Sequence, residues 1–142
     1  MKKIDAIFAV VAVVVVGMAV LSTTRRRNAE SVLCGNHMSS IGVATYAWAA
    51  ENHNMLPINF LVMSNELSTP KILICPGDRS RPAARDWASF TPANSSYELL
   101  TPGVPWNSTN AFLRCQVHHH LGYADGTVFD GKQRRSKVFF DK

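Results

Sequence analysis

The sequence predicts an α+β chain in which one long N-terminal helix lies over a small antiparallel sheet. Three observations carry that reading. An uncharged apolar run, Ala6 to Leu21 ("AIFAVVAVVVVGMAVL"), passes without a helix breaker into a segment whose apolar residues recur three and four positions apart. The rest of the chain is short β-type runs cut by proline and glycine. Near its end, Asp125-Gly126 sits between alternating segments, a strong local hairpin signal. With 142 residues, the chain has room for one modest domain behind a membrane-length segment.

The apolar run comes first. With Ile4 and the polar flank Ser22-Thr23-Thr24 it approaches the roughly 20 residues of a bilayer-crossing helix. A cleaved signal peptide is the competing reading, since Met1-Lys2-Lys3 makes a charged leader. The length of the run, and Val20-Leu21-Ser22 where a small-x-small cleavage site would stand, favour an uncleaved anchor. The expected division is residues 1–24 as the transmembrane half of the helix and residues 25–142 as a soluble α+β domain. Lys2 and Lys3 pull one flank toward the cytoplasm and Arg25 to Arg27 pull the other, so charge alone nearly ties. Three cysteines and the sequons at Asn94 and Asn107 tip the domain toward the outside of a reducing cytosol.

The helix then continues. Ala29, Val32, Leu33, Met38, Ile41, Val43, Ala44, Ala47 and Trp48 predict an apolar stripe, and nothing breaks the pattern before Asn52-His53-Asn54 and Pro57. Gly35 and Gly42 weaken it by about 1 kcal/mol each and mark close packing or a bend. One helix from about Lys3 to Glu51 is expected. Asn59 to Leu67 reads as a helical turn or two. "KILIC" (Lys71 to Cys75), "SYELL" (Ser96 to Leu100) and "AFLRC" (Ala111 to Cys115) read as strands, and Arg79 to Asn94 as a long loop.

The net charge is +5, with much of the excess in Arg25-Arg26-Arg27 and in Lys132, Arg134, Arg135 and Lys137. Cations gathered at a membrane-proximal hinge and a chain end point to anionic lipid or partner surfaces. No helix-turn-helix, zinc-finger or RNP-like pattern accompanies them, which argues against nucleic acid as a partner. Ten scattered acidic residues form no evident acid/base pair, and no Gly-x-Ser-x-Gly, phosphate loop or Cys-x-x-Cys is present. No enzyme activity, small-molecule substrate or cofactor is therefore expected.

Cys34, Cys75 and Cys115 are the disulfide candidates. Three cysteines in an oxidising compartment imply one bridge and one leftover thiol, with Cys75 the shared member and either Cys34 or Cys115 its mate. A Cys34 bridge would close about 40 residues and contribute on the order of 4 kcal/mol. The competing reading is metal, because Cys115, His118, His119 and His120 lie close together, with Cys75 and Asp78 as further donors. If the histidines run along a strand, alternate side chains face opposite ways. On that ground no metal ligand is assigned.

Taken together, Cys34, Asn36, Met38, Ile41, Gly42, Ala44, Tyr46, Ala47, Glu51, Leu56 and Pro57 resemble the helix and "LP" exit of type IV pilin-like proteins, the family that includes type II secretion pseudopilins. "ILICPGD" (Ile72 to Asp78) resembles the strand end of one large pseudopilin-like subgroup, and Leu113 to Val128 its closing histidine and Asp-Gly hairpin. The resemblance implies a pilin-like fold and a membrane-anchored structural subunit, homo-oligomeric or joined to related subunits in a pilus or type II secretion pseudopilus. It also implies a bacterial inner-membrane location, with the domain on the periplasmic or extracellular side. The family's processing glycine does not precede the apolar run, although Ile4-Asp5 resembles the Ile-Glu pair of a processed pilin. Under the resemblance, Asp5 pairs with a neighbour's N-terminal amine, since a lone charge is costly in hydrocarbon; its plainer role is to neutralise Lys2 or Lys3. Val10, Val13, Val14 and Gly17 are the expected subunit-packing surface, the glycine allowing close helix approach. The alternative function is a non-assembling anchored domain that binds a partner or metal through Cys115 to Gly126.

Overall fold

Fifty residues, Lys2–Glu51, form α1 as a single helix, about 75 Å long at 1.5 Å per residue. The computed structural model describes the backbone of residues 2–107, 109–131 and 134–135, and the side chains of residues 8, 11–107 and 109–131. The side chains of Asp5 and Val10, and Lys132 and Lys137 of the basic tail, lie outside the described set. No proline interrupts α1, and it passes through Arg25 to Arg27 unbroken. It stops where Asn52, His53 and Asn54 turn it. His53 and Asn54 adopt φ of 55° and 58°, and the Asn54 N–H donates back to the Ala49 carbonyl at 2.9 Å, closing the helix with left-handed residues.

The two halves of α1 meet different surroundings. Every side chain from Val11 to Ala29 is exposed, Val13 at 73%. At the end of the apolar run the hydroxyls of Ser22, Thr23 and Thr24 donate to the carbonyls of Ala19 and Val20. Their polarity is thus absorbed by the helix itself. Among the described residues no helix is long and apolar enough to cross a membrane; the side chains of residues 2–7, 9 and 10, where the apolar run begins, lie outside them. From Cys34 onward one face is covered: Cys34, Met38, Ile41, Gly42, Thr45 and Ala49 are buried. The covered stripe is rotated from the one expected on hydropathy. Met38, Ile41, Ala44 and Trp48 belong to it or border it, but Val32, Leu33, Val43 and Ala47 are exposed. Alongside the large Met38 and Ile41, the small residues Cys34, Gly42, Thr45 and Ala49 take inner positions; Gly42 faces the hairpin backbone and the Thr45 hydroxyl faces Met63 Sδ at 3.4 Å.

Among the described residues the sheet has five antiparallel strands in sequential order: β1 Tyr97–Leu99, β2 Ala111–Cys115, β3 Leu121–Tyr123, β4 Val128–Phe129 and β5 Arg134–Arg135. The helix lies over β3 and β4. Where they meet, Gly122 and Gly42 admit the contact: a Cβ on Gly122 would come within 3.3 Å of Met38 Cε, and one on Gly42 within 2.6 Å of Gly126 Cα. The Asp125-Gly126 hairpin forms, but with only Gly126 at positive φ, 81°. Gly126 N–H donates to the Tyr123 carbonyl and Tyr123 N–H to the Thr127 carbonyl, both at 2.9 Å. The loop is therefore three residues long with glycine in the left-handed place, instead of a two-residue turn with both positions left-handed.

"KILIC" is not a strand. Pro70–Leu73 is a 3-10 turn, capped by the Thr69 hydroxyl accepting from Lys71 N–H. A proline at its first position favours that start. Asn59 to Leu67 does wind helically, as a 3-10 turn at Leu61–Met63 and α2 at Ser64–Leu67. The core joins these pieces: Phe112, Met38, Ile41, Leu56, Met63, Leu73 and Leu113 are almost wholly buried, each contributing about 1.5–3 kcal/mol of hydrophobic free energy.

Candidate metal centre

Three chain segments deliver the three cysteines to one point. Cys34 faces inward from α1, Cys75 follows the Pro70–Leu73 turn, and Cys115 ends β2. All are free thiols with no measurable exposure. His118 joins them from the turn between β2 and β3, and the three sulfurs and one His118 ring nitrogen lie within 4.8 Å of one another. Cys75 Sγ and His118 Nδ1 are 3.1 Å apart. Where the sequence leads to one expected pair and a leftover thiol, the three unbridged sulfurs here gather with one imidazole. No bridge joins any of the three.

The approach of His118 follows from local backbone. β2 stops at Cys115, and the next residues turn: the N–H groups of Val117 and His118 point back at Cys115 Sγ, at 3.4 and 3.3 Å, and His119 N–H donates to the Cys115 carbonyl at 3.0 Å. His119, at φ 57°, completes the reversal. The sequence Cys115-Gln-Val-His118 is therefore a turn with Cys-x-x-His spacing, a spacing visible in the sequence, and the strand alternation considered for the histidines does not apply to it. The three adjacent histidines go three ways. His118 faces the thiols, His119 is exposed, and His120 is buried behind His118, with ring centroids 5.3 Å apart and the planes stacked at 25°. His120 Nε2 meets the Ser31 hydroxyl of α1 at 3.2 Å.

Polar groups surround the sulfurs. The Tyr97 hydroxyl donates to Cys34 Sγ at 3.7 Å, and Cys75 N–H donates to Ser96 Oγ at 3.0 Å. Ser96 in turn donates to Asp78 Oδ2 at 2.7 Å. Hydrogen bonds from Cys34, then Cys75, hold the Cys115 thiol far below its ordinary range, with further help from the N–H groups of His118 and Val117. The same contacts with Cys115 and Cys75, and burial, push Cys34 up. Asp78 is not a member of the group: its carboxylate is taken by Ser80, Arg81 and Ser96.

The expected packing surface lies elsewhere. Val13 and Val14 are exposed on α1, and a side chain added at Gly17 would meet nothing within 4 Å. Asp5 and Val10 are outside the described side chains. Tyr46 and Trp106 stack edge to face at 5.4 Å, and Trp106 Nε1 donates to the Ala124 carbonyl at 3.0 Å, so these aromatics brace the helix against the hairpin. No family model, no curated protein and no solved structure matches this chain.

Proposed function

We propose that the chain is a membrane-anchored, pilin-like structural subunit whose work is assembly, not turnover. The observation that carries this reading is α1 itself. One unbroken helix has a first half whose described side chains are all exposed and mostly apolar from Val11 to Leu21, and a second half that forms the core of an α+β domain. Exposed valines in such a row are costly in water and favourable in lipid or against another helix. The hydrocarbon-facing half holds the chain in a bacterial inner membrane, and the domain stands on the periplasmic or extracellular side. Val10, Val13, Val14 and Gly17 pack against neighbouring copies or related subunits in a pilus or type II secretion pseudopilus, with Asp5 assisting docking.

Membrane fractionation combined with N-terminal sequencing tests anchor and processing together. The chain is expected in the membrane pellet with its apolar run intact; recovery as a soluble protein beginning after Leu21 would overturn the anchor. Asp5→Ala is expected to leave the domain's melting curve unchanged while reducing co-purification of tagged and untagged copies. Unaltered co-purification would remove Asp5 from docking. Absence of self-association in the wild type would favour the second reading, an anchored domain that binds a separate partner through Cys115 to Gly126, the segment that presents Cys115 and His118 to the thiol group.

A further inference from the structure

We propose that Cys34, Cys75, Cys115 and His118 form a closed four-ligand site for a thiophilic divalent cation, zinc by preference, which fastens α1 to the sheet. The inference does not depend on whether the chain assembles.

The donor set selects the metal. Three thiolates and one imidazole, with no oxygen among them, suit zinc and disfavour calcium and magnesium. Four protein ligands complete a tetrahedron, so the site is structural and leaves no open position for a substrate. The size also fits. At a Zn–S length of about 2.3 Å and a Zn–N length of about 2.0–2.1 Å, tetrahedral edges are about 3.8 Å between sulfurs and about 3.6 Å from sulfur to nitrogen. The four donor atoms already lie within 4.8 Å of one another, and the Cys75–His118 edge of 3.1 Å has only to open by a few tenths of an ångström.

The surroundings are built for bound thiolates. Cys115 receives two backbone N–H groups from its own Cys-x-x-His turn, and Cys34 receives the Tyr97 hydroxyl. Such donors offset the net negative charge of zinc with three thiolates. His118 packs against Gly77: a Cβ there would fall 2.8 Å from its Cε1 and 3.1 Å from its Nε2, so the glycine of Cys75-Pro76-Gly77 leaves room for the ring beside the sulfurs. His120 stacks on the other side. A disulfide would use two sulfurs and leave the third, together with an oriented imidazole, without purpose. Successive cysteines are about 40 residues apart, so one ion would close two long loops at once, where crosslinks constrain the unfolded chain most.

The test uses the full chain, purified in detergent micelles with a reductant present. Elemental analysis is expected to find one equivalent of zinc. Replacement by cobalt is expected to give thiolate-to-cobalt charge transfer and the intense d–d bands of tetrahedral coordination. His118→Ala, at a half-buried turn position, is expected to keep the circular dichroism of the wild type. It should weaken zinc by at least the roughly 10- to 100-fold that losing an outer-shell partner costs. His118→Cys should restore it, and His119→Ala should change nothing. Removing zinc with a chelator should lower the melting temperature reversibly. The proposal is overturned if the reduced wild type neither contains zinc nor binds it on titration with zinc alone. It is equally overturned if affinity and cobalt spectrum are the same in His118→Ala. A preparation with one disulfide and one thiol that takes up no metal after reduction would return the cysteines to the bridge-plus-leftover arrangement.

Discussion

His118, His119 and His120 are adjacent and chemically identical, yet one faces three thiols, one faces solvent and one packs on α1. Composition carries no information that separates them. The separating information was in the spacing from Cys115: the strand ends there, and a turn of Cys-x-x-His spacing brings His118 back toward the Cys115 sulfur while the next residue points away. Asp78 shows the opposite case, a residue whose proximity to Cys75 suggested a ligand but whose carboxylate is spent on structure. Its side chain is 2% exposed beside Arg81, at 2.6 Å. Burial alone would raise its pKa, but hydrogen bonds from Ser80, Ser96 and Arg81 overcome it and hold the carboxyl well below the usual aspartate range. Asp78→Asn is expected to cost about 1–3 kcal/mol at neutral pH, the scale of hydrogen bonds to a buried charge. Because the folded pKa is depressed, the charged carboxylate stabilises fully above the unfolded value of about 4. Its contribution then drains away as the pH falls through that value toward the lower one. Urea midpoints of wild type and variant should therefore differ at pH 7 and converge below about pH 4; a constant difference would assign the effect to shape instead of charge.

At the level of elements, α1 was legible almost to its ends because its signals are local: no proline, no polar break, and an Asn-His-Asn stop. Its inner face was less so. Hydropathy picked Met38 and Ile41, which are buried, together with Val32, Leu33 and Val43, which are not; Gly42, which it did not pick, is buried where the hairpin backbone approaches. "KILIC" misled for a related reason, its apolar residues satisfying a β-type pattern while Thr69-Pro70 set up a 3-10 start. The two glycines of α1's second half separate these effects. Gly35→Ala, where an added Cβ meets nothing within 4 Å, should stabilise by about 0.5–1 kcal/mol through helix propensity. The same change at Gly42 drives a Cβ against the Gly126 backbone at 2.6 Å, and backbone cannot step aside as a flexible side chain does. Overpacking of that kind costs about 1–3 kcal/mol, so Gly42→Ala should lower the thermal midpoint despite the same gain in propensity. Equal and favourable shifts in both variants would mean that helix and hairpin do not meet this closely in solution.

Over the whole molecule, the sequence could announce the helix and the small sheet but not the meeting point of Cys34, Cys75 and Cys115, which depends on where α1 crosses the sheet and how the Cys75-Pro76-Gly77 turn approaches it. That meeting point also marks where α1 changes character. On the N-terminal side of Glu30, which Arg26 and Arg79 pair from two directions, the described side chains are exposed; from Cys34 onward the helix is core. If the proposed anchor is right, one helix serves two energetically separate surroundings, and substitutions on either side of the boundary should have separable consequences. Val14→Asp places a carboxylate near the middle of the apolar run, where insertion costs about 2.5–3.5 kcal/mol. It should shift much of the chain out of the carbonate-resistant membrane fraction. It should leave the domain's thermal midpoint unchanged, because Val14, at 50% exposure, is not part of the buried core. Met38→Ala removes a side chain buried to 1% exposure and should cost about 2–5 kcal/mol of domain stability without altering membrane retention of whatever folds. If Val14→Asp destabilised the domain, the exposed half would have to fold back onto it; if it stayed fully in the membrane, the anchor would have to lie outside Ala6 to Leu21.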